Sequence, residues 1–81
     1  MRQTKARRFF TEDLGSTLPQ QPPQVSDDHW TMFVDHVMND KTFATLAKER
    51  GLFRTRPHMA VDRVIQHVKK EQTAQTAVAL S

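Results

Sequence analysis

Cysteine is absent from the 81 residues, which excludes disulfides, zinc sites built on thiolates and thiol nucleophiles. Long apolar runs are absent as well. Nothing approaches the ~18 residues of a membrane span, and no apolar stretch of a secretory signal opens the chain. The expectation is a cytoplasmic protein with no membrane partner. Strand patterns and internal repeats are missing. The four histidines, at 29, 36, 58 and 67, include no pair four apart, so HExxH spacing is lacking. Ser16, Ser26 and Ser81 fall in a linker, a cap position and a terminus, none beside a base that would make a nucleophile of it. The chain therefore reads as a non-enzyme with no catalytic residues, no cofactor and no metal.

Charge of one sign is missing from two stretches. Residues 1–10 carry Arg2, Lys5, Arg7 and Arg8 and no acid. Residues 25–40 carry Asp27, Asp28, Asp35 and Asp40 and no Lys or Arg. Residues 41–71 reverse the balance, with Lys41, Lys48, Arg50, Arg54, Arg56, Arg63, Lys69 and Lys70 against Glu49, Asp62 and Glu71. The net charge is a modest +3, but the basic charge lies on residues 1–10 and 41–71, the usual footprint of a surface for a polyanion. A solvated helix face would look the same.

Three segments follow from these patterns. Residues 1–24 are expected to be a basic, flexible arm, because Pro19, Pro22 and Pro23 alternate with Gln20, Gln21 and Gln24 and leave little apolar area to bury. Phe9 and Phe10 stand out within it, either as anchors for a partner or as a contact folded back on the domain. Residues 25–71 predict an all-α, three-helix domain. The first helix spans about 27–38, capped by Ser26, with Trp30, Phe33, Val34, Val37 and Met38 inward. Asn39 and Asp40 would end it and cap the second, about 41–50, with Phe43, Leu46 and Ala47 inward. The third, about 57–71, turns Ala60, Val61, Val64, Ile65 and Val68 inward. Residues 72–81 form a tail that extends it or frays.

The joint between the second and third helices carries the functional signal. Ala47 is small enough for a close helix crossing. Gly51 suits the left-handed turn that ends a helix, and Leu52 is placed to plug the corner. A short Gly-containing turn between two such helices is helix-turn-helix punctuation. Residues Thr42 to Lys70 resemble region 4 of sigma-70-type sigma factors, through Thr42-Phe43, Leu46-Ala47, Leu52, Arg54-x-Arg56 and a basic end. They are also similar to TrfB-type plasmid repressors, through Ala47, Gly51-Leu52, Arg54, Ala60-Val61 and Arg63-Val64. The resemblance covers about a third of the chain. It implies a recognition helix whose exposed early part would include Phe53, Arg54, Arg56, His58, Met59 and Arg63. Two departures stand out: Pro57 replaces an aliphatic residue early in that helix, and Phe53 replaces a small capping hydroxyl, leaving Thr55 as the expected cap.

The layout resembles small phage-encoded regulators that bind bacterial RNA polymerase and alter initiation or termination. On that reading Arg2, Lys5, Arg7, Arg8, Phe9 and Phe10 dock on the polymerase, and the helical domain contacts polymerase or nearby DNA as a monomer. A second reading is a DNA-binding repressor that dimerises through its C-terminal residues and contacts DNA through Arg54, Arg56, Arg63 and Lys69. A third is an antagonist of some other protein.

Overall fold

The computed structural model describes the backbone of residues 4–80 and the side chains of residues 4–72. It is all-helical: α1 (Lys5–Arg8), a π-helical turn (Phe9–Asp13), α2 (Asp27–Met38), α3 (Phe43–Arg50) and α4 (Thr55–Leu80). Each start and stop has a local cause. Ser26 accepts from the His29 amide at 3.3 Å, and Asp27 and Asp28 lie in the first turn of α2, where the helix dipole favours negative charge. After Asn39 the chain turns through Asp40 at φ 57°, a left-handed conformation that Asp tolerates better than most residues. The cap of α3 is Thr42, whose hydroxyl accepts from the Thr45 amide at 3.1 Å; Asn39 and Asp40, expected in that role, lie outside it. Gly51 ends α3 at φ 65°, ψ 37°, and both its own amide and that of Leu52 bond back to the Ala47 carbonyl.

The core forms where α2, α3 and α4 meet. Phe33, Leu46 and Val64 are fully buried, joined by Ala60, Val61, Ile65 and Val68 from α4, as the helical spacing predicts. On α2 the inward face is rotated from the expected one. Met32 and His36 are buried, Trp30, Val34 and Val37 are partly buried, and Met38 is half exposed. Leu52 sits at the edge of the corner at 36% exposure and does not fill it. Pro57 lies in the first turn of α4, where its missing N–H costs nothing, and its ring is buried. Thr55 opens α4 as its first residue, not as its cap.

The main departure is at the N-terminal side. Residues 4–14, expected within a flexible arm, are helical turns packed into the same core. Ala6, Phe9 and Phe10 are buried at 3, 5 and 6% exposure, and Val25 at 5% closes the far end of the linker. Thr4 caps α1 by accepting from the Arg7 amide. The chain leaves the π-helical turn through Gly15 and Ser16, both left-handed. Gln21 then ties the linker down, donating to the Val25 carbonyl at 2.9 Å and to Asp27 Oδ1 at 2.8 Å. Truncating a buried Phe costs about 3–5 kcal/mol, so Phe9 and Phe10 act as part of the core.

Candidate functional site

Basic residues divide into two groups by what they touch. Arg50 reaches from the last turn of α3 to α2, pairing with Asp28 and lying 4.0 Å from Asp35. Lys41 pairs with Glu49 at 3.0 Å. Arg50 thus joins α3 to α2, and Lys41 ties the turn before α3 to its last turns. By contrast, among the described residues no acid pairs with Arg54, Arg56 or Arg63. All three are exposed at or near the start of α4.

The helix period makes a stripe of them. Positions 56, 59, 63, 66 and 70 recur at intervals of three and four and so share one side of α4. They are Arg56, Met59, Arg63, Gln66 and Lys70, all exposed, opposite the side that buries Val61, Ile65 and Val68. At 1.5 Å per residue the stripe is about 21 Å long. The buried Pro57 ring lies on the same side of α4 as Val61, Val64 and Val68, and Arg56 faces outward.

At the N-terminal end of the stripe the surface becomes apolar. Phe53 is 82% exposed and Met59 is 53% exposed. Gly51, Leu52, Phe53 and Arg56 line a shallow pocket of about 390 Å³. A second, of about 140 Å³, is lined by His29, Arg56, Met59, Ala60 and Arg63. Arg56 lines both, so the two shallow pockets adjoin at its side chain and together are called the trough.

Of the residues singled out from sequence, Phe53, Arg56, Met59 and Arg63 line these two pockets, while Arg54 is exposed in the turn before α4 and lines neither. His58 does not join them. Its ring packs edge-on against Phe43 at 5.1 Å, and its Nδ1 lies 3.6 Å from Asp62 Oδ2 on another side of α4. The N-terminal set is divided. Phe9 and Phe10 are buried and offer no docking surface. Arg7 donates through Nε to the His36 carbonyl at 3.2 Å. Lys5 and Arg8 are exposed, and Arg2 lies outside the described residues. His29 is the trough residue that sequence reasoning passed over; its place beside Arg56 and Met59 depends on how α2 crosses α4.

His36 was also overlooked, and it is structural. Its Nδ1 lies 2.7 Å from the Lys41 carbonyl, so Nδ1 carries the proton. Its Nε2 therefore accepts from the Thr4 hydroxyl at 2.7 Å. The ring stacks on Phe43 at 4.2 Å. Burial lowers its pKa from 6.5, helped by the positive charge of Arg7.

Among the described residues, no helix is long and apolar enough to cross a membrane, and no group of three His, Asp or Glu side chains could hold a metal ion. Comparison with protein-family models, curated proteins and solved structures found no match.

Proposed function

We propose that the chain is a small transcription regulator whose working surface is the exposed side of α4, acting as a helix-turn-helix unit on duplex DNA. The unpaired stripe of Arg56, Arg63 and Lys70 carries this reading. Cations with no acid partner among the described residues, aligned along one exposed side of a helix just after a tight glycine turn, suit phosphate contacts beside a groove and leave other side chains free for base edges. Three other cations are committed internally: Arg50 bridges α3 to α2, Lys41 pairs with Glu49, and Arg7 serves the His36 turn. A single module of this size covers roughly 600–1,000 Å² of DNA and binds weakly alone, so it acts beside another DNA-bound protein or as a dimer. Fluorescence anisotropy with a labelled random-sequence duplex tests it. Salt-sensitive binding that falls in Arg56→Ala and Arg63→Ala supports the reading, and no binding at low salt rejects it.

Bacterial RNA polymerase is the second reading. The exposed Phe53, Leu52 and Met59 favour it, because a protein partner would cover apolar groups that duplex DNA leaves wet. On this reading docking uses the α4 corner with Lys5 and Arg8, since Phe9 and Phe10 are committed to the core. Retention of the full chain by purified core polymerase, lost in Phe53→Ala, is the expected result.

A further inference from the structure

We propose that the trough at the start of α4 binds unpaired DNA, with the Phe53 ring stacking on an extruded base while Arg56 and Arg63 pair with the flanking phosphates. The inference rests on α4 being a DNA surface and adds which form of DNA it selects.

Single exposed apolar side chains are ordinary on protein surfaces. The corner is different because three things coincide there. Phe53 is 82% exposed, just after the turn, with arginines following it at 54 and 56. Those arginines and Arg63 have no acid partner among the described residues. Arg56 lines both shallow pockets, one with Phe53 and the other with His29, Met59 and Arg63, so an exposed aromatic ring and two arginines share one stretch of surface. An exposed ring at the mouth of a positively charged groove is the recurring arrangement for single strands, because every base has a π-face and every link a phosphate. Arginine adds a planar cation that can itself lie over a base.

An acidic peptide with an apolar anchor is the competing occupant, and the geometry suits it less. Hot spots for protein partners are well-packed pockets that become fully dry. Here the pockets are shallow, and Leu52, the group that would floor one, lies at the surface. Phe53 projects outward and lines no enclosed cavity. Duplex DNA alone leaves it without a role, since a paired base shows its edge to a groove and keeps its face in the stack.

The test is anisotropy with the full chain and four labelled probes: a duplex, the same duplex with a central unpaired thymine loop, single-stranded oligothymidine, and a Glu-rich peptide containing one Leu. Wild type is compared with Phe53→Ala and Phe53→Leu, whose melting curves should match it because the side chain is exposed. The expected result is tighter binding to the looped duplex than to the plain one, by roughly 5- to 150-fold. Both variants should lose that preference, Leu included, because it keeps apolar area and lacks a stacking face. Equal affinity for looped and plain duplex, unchanged in Phe53→Ala, overturns the inference and leaves the duplex reading of α4 intact. Binding of the peptide with Phe53→Leu retained, and no preference for the loop, also overturns it and assigns the corner to a protein. Failure to bind any DNA probe removes both readings together.

Discussion

The Thr4 hydroxyl donates to Nε2 of His36, 32 positions along the chain and 2.7 Å away in space. One threonine thus performs two tasks, since the same oxygen accepts from the Arg7 amide and caps α1. His36 in turn holds the turn after α2 through the Lys41 carbonyl. The N-terminal segment is fastened to the α2–α3 joint by a histidine that must stay neutral to accept. Arg7 adds to the clasp through the His36 carbonyl, at the cost of a buried Nη2 with no partner.

Stability should therefore fall in mild acid. The folded ring has a pKa below 6.5, so the unfolded chain takes up the proton first. The contribution of His36 is whole above pH 6.5 and is lost as pH drops through the lower folded value. Burial disfavours the charged ring most, Arg7 and His58 also oppose it, and the Lys41 carbonyl and Asp40 favour it. Urea denaturation of wild type and His36→Gln from pH 8 to pH 5 checks this. The wild type should lose stability across the range, and the variant should start lower and show a shallower loss. Parallel curves would show that other groups set the pH response.

Phe9→Ala should destabilise the fold by about 3–5 kcal/mol, because its ring is 5% exposed in the shared core and Lys69 lies over it at 5.4 Å. An arm reserved for a partner would instead leave the urea midpoint unmoved. A single cooperative transition with a lower midpoint is the expected outcome.

Gly51→Ala should cost about 1–2 kcal/mol for purely conformational reasons. A Cβ there meets nothing within 4 Å, so no clash adds to the left-handed backbone at φ 65°. Gly51→Asn should recover part of the loss, as Asn visits that region more readily. Thermal melts of the two variants measure the difference.

Salt dependence should sort the basic residues. Each phosphate contact removed lowers the slope of log K against log salt by about 0.9 on duplex DNA. Arg56→Ala and Arg63→Ala should each reduce the slope by about that amount with little change in melting. Arg50→Gln should leave the slope unchanged and lower the melting point slightly, because it bonds to Asp28, whose carboxylate is largely exposed, and lies only at the 4.0 Å limit from Asp35.

Much of this fold is legible one helix at a time. Ser26 and Met38 bound α2 where capping and periodicity place them, and the inward residues of α4 from Ala60 to Val68 are the apolar ones at spacing three and four. The N-terminal segment was hidden by its charge. Ala6, Phe9 and Phe10 have the spacing of a short amphipathic helix and Thr4 is a fitting cap, yet Arg7 and Arg8 between them read as a solvated basic run. His36 shows a limit of another kind. A histidine on a helix is polar by type, and only a hydroxyl from residue 4 and a carbonyl from residue 41 make its burial affordable.

Composition and spacing alone determined the helical class, the glycine turn at 51 and the basic character of the segment after it, because each depends on neighbours within a few residues. Tertiary structure decided which charges remain available. Arg50, Arg54 and Arg56 are alike in sequence, but α2 brings Asp28 and Asp35 to the first and no acid to the other two. It likewise turned two phenylalanines from a docking arm into core, since burial is a property of what the rest of the chain places around a side chain, and no local pattern encodes that.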